Sequence, residues 1–162
     1  MLVLFDIDGT LLRTRGAGVA SMEVAGRALF HDGFSMAGVD FAGRLDPLIW
    51  RAAAEVNGIA DHARHEPAFR AAYADAFAEA FRRGEASSAA LAGVGELLEA
   101  LVARGADLGI VTGNYPETGA IKLREAGLDA SRFTATAWGS DGGHRRELPP
   151  LAIDRHAAAT GH

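Results

Sequence analysis

The 162-residue chain lacks cysteine, so a disulfide framework and a cysteine-based metal site are both excluded. It has no apolar stretch of transmembrane length, and residues 1–5 lack the basic region and the length of a signal peptide. It also has no run of lysine or arginine, and its formal net charge is −5, so nothing indicates a nucleic-acid footprint. These absences predict a cytoplasmic protein with neither a nucleic-acid nor a membrane partner.

The composition that is present fits one globular domain with a real core. Hydrophobic residues make up 49% of the chain and charged residues 23%, both ordinary values for globular proteins. The 20 glycines, many of which follow helical patterns, fit the short turns of an α/β protein.

Residues 2–12 carry the most informative pattern, Leu-Val-Leu-Phe-Asp-Ile-Asp-Gly-Thr-Leu-Leu. The apolar run before Asp6 predicts a strand buried in a parallel sheet, and ligands bind outside the carboxyl ends of such strands. Asp6 and Asp8 lie two residues apart, so they point to the same side if the strand continues. Because adjacent carboxylates repel each other, a divalent cation such as Mg2+ would stabilise the pair. A turn-capping role explains Asp8 alone but leaves Asp6 unexplained.

A second candidate site follows the strand predicted at residues 106–111. Thr112, Gly113 and Asn114 place a hydroxyl and backbone N–H groups at the strand end, just before a helix predicted to begin at Pro116. Such a concavity binds anions, although Thr-Gly-Asn by itself is also typical of an ordinary turn.

Helical periodicity dominates residues 16–83. Helices are predicted to start at Asp46-Pro47, with Asp46 as the N-cap, and at Pro67. Apolar faces are predicted on both, formed by Leu48, Ala52 and Val56 on the first and by Phe69, Tyr73, Phe77 and Phe81 on the second. We interpret the aromatic stripe as core packing and not as a cofactor site.

Helices and strands alternate in the second half of the chain. The small and polar residues 85–93 predict a linker. After it, the pattern predicts a helix from Val94, strands over residues 106–111 and 133–138, and helices over residues 116–126 and 149–160.

The segment from Asp6 to Leu12 resembles the first motif of the haloacid dehalogenase-like superfamily, most of whose members are phosphatases. The resemblance implies that Asp6 is the nucleophile that accepts the phosphoryl group. It implies that Asp8 protonates the leaving oxygen and then deprotonates the attacking water. The Asp6 carboxylate and the Asp8 carbonyl would hold Mg2+. The dehalogenases proper lack the second aspartate, so Asp8 favours phosphoryl transfer.

The same resemblance implies roles for the other candidates. Thr112 matches the second motif and would bind a phosphoryl oxygen, with Gly113 and Asn114 contributing backbone donors. The third motif supplies a cation after the third strand, which is where Arg145 lies. We favour Arg145 over Arg146 and over Lys122, for which a solvent-exposed place on its helix is the alternative. Arginine suits the role because it can bind phosphate bidentately.

The resemblance also implies the domain organisation. Residues 1–14 and 86–162 would form a Rossmann-like core with an incomplete parallel sheet, and residues 15–85 an inserted all-helical cap that supplies specificity. The segment Phe41-Ala42-Gly43-Arg44-Leu45-Asp46 resembles the F-x-G-x-T-D segment of phosphoglycolate phosphatase-like members, with Leu45 in place of the usual threonine. Arg44 is therefore the candidate for substrate contact in the cap.

The family's fourth motif, an acidic pair after a further strand, does not occur after Val111. We therefore expect a truncated form of a longer phosphatase that is weakly active or inactive. The strand at residues 2–5 would then lie at an open edge that favours self-association. The leading prediction is a Mg2+-dependent phosphatase that hydrolyses a small phosphorylated metabolite through an aspartyl-phosphate. A phosphomutase of the same superfamily and a non-catalytic binding module are the alternatives.

Overall fold

The computed structural model describes residues 1–161. The chain divides into two compact units, one formed by Met1–Arg13 and Ser88–His162 and the other by Thr14–Ser87. In chain order, the strands and α-helices are β1 (Leu2–Phe5), β2 (Leu12–Arg15), α1 (Gly18–Leu29), α2 (Asp46–Val56), α3 (His62–Arg82), β3 (Ser87–Ala90), α4 (Val94–Ala103), β4 (Asp107–Val111), α5 (Pro116–Glu125), β5 (Phe133–Ala137) and α6 (Leu148–Thr160).

The first unit is built on a parallel sheet with the strand order β1-β4-β5, which confirms the predicted α/β class. The central strand β4 is apolar, and Leu108 and Ile110 are buried in a core completed by side chains from the surrounding helices and turns. Gly109 is required at its centre, because a Cβ atom there would lie 2.6 Å from the Ala135 carbonyl oxygen. Since the three strands are parallel, their carboxyl ends reach one edge of the sheet.

Strand β1 pairs with β4 and is an edge strand of this sheet within residues 1–161. The predicted self-association through β1 stays a prediction. In the same part of the chain, no helix is both long and apolar enough to cross a membrane.

The second unit contains α1, α2 and α3, held together by aromatic packing. The rings of Trp50 and Phe69 stack with their centroids 4.0 Å apart, and Tyr73 and Phe77 continue the buried row on α3. The prediction that this stripe is core is confirmed for the residues from Phe69 to Phe77, and Phe81 is half-buried.

Two details of these helices were predicted wrongly. Helix α3 begins at His62, five residues before Pro67, because the buried stripe stabilises a helix that the proline alone does not end. Helix α2 starts at Asp46 with Leu45 as its N-cap, and it buries Ile49, Trp50, Ala53 and Ala54. Val56 is 58% exposed, since the stacking of Trp50 sets the rotation of the helix.

Two strands were not predicted from the sequence. Strand β2 pairs with β3 in a separate two-stranded sheet, and β3 lies within the predicted linker at residues 85–93. Each strand has only four residues. Burial alternates along β2, but Leu12 is its one apolar side chain, and β3 is mostly exposed, so neither run is long or apolar enough to predict a strand.

Candidate active site

Asp6 and Asp8 leave the end of β1 on either side of a buried residue. Ile7 is fully buried in the core of the first unit, and its carbonyl accepts the backbone N–H of Leu11 at 3.0 Å. Gly9 has φ +75°, a left-handed conformation that closes the turn at little steric cost. The buried side chain of Ile7 therefore lies between two carboxylates that both reach solvent. The Asp6 side chain is 30% exposed and the Asp8 side chain 46% exposed.

Asp6 is bonded through both carboxylate oxygens. Its Oδ1 accepts the backbone N–H of Ile7 at 2.8 Å. Its Oδ2 accepts a hydrogen bond from Nη2 of Arg145, which forms an ion pair with it. Arg145 therefore faces the first carboxylate, while the neighbouring Arg146 is exposed.

The loop that presents Arg145 is braced at both ends. Glu147 accepts the backbone N–H of Gly143 at 2.8 Å, which holds the short 3₁₀ turn Arg145–Glu147. Asp141 accepts the Trp138 N–H at 2.8 Å and two bonds from the Arg155 guanidinium, at 2.8 and 3.0 Å. Those bonds to Asp141 raise the pKa of Arg155 above its ordinary value.

Asp8 is held by a lysine and an amide. Nζ of Lys122 lies 2.9 Å from Oδ1 and 2.8 Å from Oδ2 of Asp8, and 2.7 Å from Oδ1 of Asn114. The Asn114 amide donates to Oδ2 of Asp8 at 2.8 Å and to the Thr112 hydroxyl oxygen at 2.7 Å. Thr112, Asn114 and Lys122 are all buried. One connected network therefore joins the end of β4, the second carboxylate and α5.

Close packing of α5 against the strand ends places Lys122. Pro116 begins this helix, and Thr118 and Lys122, one turn apart, are both buried. Gly119 lies between them. A Cβ atom there would overlap the Trp138 ring and lie 3.3 Å from Cδ1 of Ile7. Gly113 is packed closely against Gly139. A Cβ atom added to Gly139 would overlap the Gly113 carbonyl oxygen.

The structure thus brings six of the predicted residues to one edge of the sheet: Asp6, Asp8, Thr112, Asn114, Lys122 and Arg145. Arg44 belongs to the second unit, where it is exposed and donates to the Asp40 carbonyl at 3.3 Å. The alternative of a solvent-exposed Lys122 is wrong, because only 8% of the residue is accessible. Lys122 and Arg145 were predicted as alternatives for one phosphate-binding cation, yet each pairs with its own carboxylate.

The donors at this edge suit a hard divalent cation. Within residues 1–161 there is no group of three or more His, Asp or Glu placed to hold a metal. Asp6 and Asp8 nevertheless offer carboxylate and carbonyl oxygens, and Mg2+ is often bound by one or two carboxylates together with water and a substrate phosphate. The site therefore fits Mg2+ that is shared with an anionic ligand.

Comparisons with known proteins identify the family and the fold. The family model for haloacid dehalogenase-like hydrolase matches residues 3–162. A crystal structure of a hydrolase from Pseudomonas syringae is 22% identical, with a TM-score of 0.64 over 98% of this chain and 69% of that one. A predicted phosphoglycolate phosphatase from Haemophilus somnus 129PT is 20% identical, with a TM-score of 0.66 over 99% of this chain and 71% of that one.

A putative β-phosphoglucomutase from Thermotoga maritima is 19% identical, with a TM-score of 0.51 over 95% of this chain and 69% of that one. At these identities the three solved structures show a shared fold. A search of curated proteins found no match.

Proposed function

Because the chain belongs to the haloacid dehalogenase-like hydrolase family, we propose that this hydrolase is a phosphatase that cleaves a small organic phosphomonoester through a phosphorylated Asp6. The observation that supports the proposal is that each of the two carboxylates at the sheet edge pairs with a different cation. Asp6 faces Arg145, and Asp8 faces Lys122 and Asn114. Two carboxylates with different partners are suited to two different tasks.

Asp6 is the proposed nucleophile. Its carboxylate oxygen attacks phosphorus, a new P–O bond forms to Asp6, and the ester P–O bond breaks. Asp8 enters this step carrying a proton and gives it to the departing alcohol oxygen. In the second step Asp8 takes a proton from water, the water oxygen attacks phosphorus, and the bond between Asp6 and phosphorus breaks to release phosphate. Covalent capture divides a difficult hydrolysis into two easier steps.

In this proposal the phosphoryl oxygens are bound by Arg145 and by groups at the end of β4. The Thr112 hydroxyl oxygen accepts from the Asn114 amide, so its own hydrogen is left to donate to the ligand. We assign the backbone donors to Gly113 and Asn114, and the balancing cation to Arg145. Mg2+, held by the Asp6 carboxylate and the Asp8 carbonyl, supplies further positive charge against the phosphoryl group when bound.

Substrate choice is assigned to the second unit, the proposed cap. Arg44 is its candidate contact, because an exposed guanidinium offers several donors to an anionic or polar group on the substrate. The activity of the 162-residue chain is proposed to be weak, since the acidic pair of the family's fourth motif is not found in it.

The experiment is phosphate release from p-nitrophenyl phosphate with Mg2+ present. The Asp6→Asn variant should lose at least about a thousand-fold in turnover, because a carboxamide cannot replace the nucleophile. Asp154→Asn, the same change at an exposed position on α6, should keep the wild-type rate. A wild-type rate in Asp6→Asn would refute the assignment. Detection of a bisphosphate when a sugar phosphate is supplied would favour a phosphomutase instead.

A further inference from the structure

Lys122 is the single lysine in a chain that carries 16 lysine and arginine residues in total. It is also buried, with 8% of its surface exposed, and its ammonium group contacts Asp8 and Asn114. The other 15 of these residues are arginines. The one compact ammonium group therefore occurs at the position where three acceptor oxygens surround a single nitrogen. A planar guanidinium with five donors does not match that arrangement.

The donors of Lys122 are matched by acceptors within the site. An ammonium group has three N–H donors. Three acceptor oxygens lie within 2.9 Å of Nζ, two on Asp8 and one on Asn114. A donor directed at Asp8 is not directed at a phosphoryl oxygen, so this geometry does not suit a phosphate-binding cation.

Asp8 needs a device that fixes its orientation. Its side chain is 46% exposed, and a carboxylate on so accessible a residue can rotate unless other groups hold it. Lys122 contacts both of its oxygens, and the Asn114 amide donates to Oδ2 at 2.8 Å. Asn114 is itself held by the Thr112 hydroxyl at 2.7 Å, so the plane of the Asp8 carboxyl group is tied to the end of β4.

We propose that Lys122, together with Asn114, is a positioning residue that holds the Asp8 carboxyl group in line with the leaving and attacking oxygens. This inference rests on the proposed function, in which Asp8 exchanges a proton with those oxygens. Lys122 acts through Asp8, while Arg145, which pairs with Asp6, serves the phosphoryl group. The two cations of the site therefore have different tasks.

The first test uses aryl phosphates that share a shape but differ in how much the leaving oxygen needs a proton. For Lys122→Met, kcat/KM for phenyl phosphate should fall at least about tenfold more than for 2,4-dinitrophenyl phosphate, since general acid catalysis contributes on the order of a hundred-fold or more. The inhibition constant of inorganic phosphate should be unchanged. Arg145→Met, the comparator, should raise that constant and slow both substrates alike.

Two results would overturn the inference. Equal losses on both substrates with weaker inhibition by phosphate would make Lys122 a phosphate ligand. Equal losses with a lower unfolding temperature and unchanged inhibition would make its role merely structural. Asn114→Ala provides a second variant, which should reproduce the dependence on the leaving group if the pair works together.

A second test does not depend on turnover. In the wild-type chain, an N-hydroxysuccinimide acetate should modify Lys122 slowly, because its amine is buried and bonded. Asp8→Asn and Asn114→Ala should both speed that modification, read by peptide mass, and Asp154→Asn should not. Rapid labelling of wild-type Lys122 would show that Asp8 and Asn114 do not hold its amine, and it would refute the inference. If the wild-type chain released no phosphate from either ester, the proposed function would fail, and the labelling rates alone would decide whether Lys122 holds Asp8.

Discussion

The adjacent arginines at positions 145 and 146 form a natural pair for testing one side chain against its neighbour. Arg145 makes an ion pair with Asp6, and Arg146 is exposed. Arg145→Met should lower kcat/KM by about a hundred-fold or more, because it removes a charge-assisted donor from the developing phosphoryl charge. Arg146→Met is the matched control and should stay close to wild type. Phosphate release measured over a range of substrate concentrations separates the two.

A larger loss in the Arg146 variant would exchange the two assignments. Arg145→Lys should recover part of the rate, because it keeps the positive charge but loses the bidentate geometry. A complete recovery would mean that charge alone is needed at this position.

At the residue scale, the sequence predicted what depends on local order and missed what depends on packing. Asp6 and Asp8 could be proposed from the sequence because a predicted strand and a turn surround them within 11 residues of the chain. Lys122 lies 114 residues from the carboxylate it binds, so its burial could not be read from its own helix. The separate pairing of Lys122 with Asp8 and of Arg145 with Asp6 could not be predicted, because only the folded chain brings these four side chains to one edge of the sheet.

At the element scale, helix α5 depends on a glycine at its centre. A Cβ atom on Gly119 would overlap the Trp138 ring and approach Ile7, which lies between the two proposed catalytic carboxylates. Gly119→Ala should therefore destabilise the chain by about 1–2 kcal/mol despite the better helix propensity of alanine, since overpacking outweighs propensity. It should also lower phosphatase activity, because α5 carries Lys122.

Gly95 on α4 provides the control for this prediction. It is exposed, and a Cβ atom there meets no other atom within 4 Å. Gly95→Ala should raise the free energy of unfolding by up to about 1 kcal/mol. Urea denaturation of both variants gives the sign of each change in the free energy of unfolding. Equal stabilisation by both substitutions would show that α5 is not tightly packed at Gly119.

The elements that were predicted correctly carry local signals: β4 is apolar, buried and less buried side chains alternate along β5, and α5 and α6 have a proline in the first turn. Strands β4 and β5 and helices α5 and α6 lie within one or two residues of their predicted ranges. Strands β2 and β3 have four residues each and form because they pair with each other, a condition that no local pattern records. The buried face of α2 was predicted wrongly because Trp50 was not included in it. The Trp50 ring stacks on Phe69, and this contact sets the rotation of α2 about its axis.

At the scale of the whole molecule, the net negative charge of the chain opposes the binding of a phosphate ester. The chain carries a formal net charge of −5, so its overall field repels an anionic substrate. At the proposed site, two carboxylates are paired with two cations, which leaves little surplus positive charge for the phosphoryl group. A phosphate dianion therefore needs a further cation, and Mg2+ in turn gains a ligand when phosphate is present.

We therefore expect Mg2+ and inorganic phosphate to bind cooperatively to the 162-residue chain. Calorimetric titration should show weak binding of Mg2+ alone, because no third acid joins Asp6 and Asp8 within residues 1–161. Phosphate should tighten Mg2+ binding by about 5- to 150-fold, and by reciprocity Mg2+ should tighten phosphate binding by the same factor. Asp6→Asn should abolish this coupling, because it removes the carboxylate that both ligands share, whereas Asp154→Asn should preserve it. Equal Mg2+ affinity with and without phosphate would show that the cation is held elsewhere, and the assignment of Asp6 and Asp8 as its ligands would then be wrong.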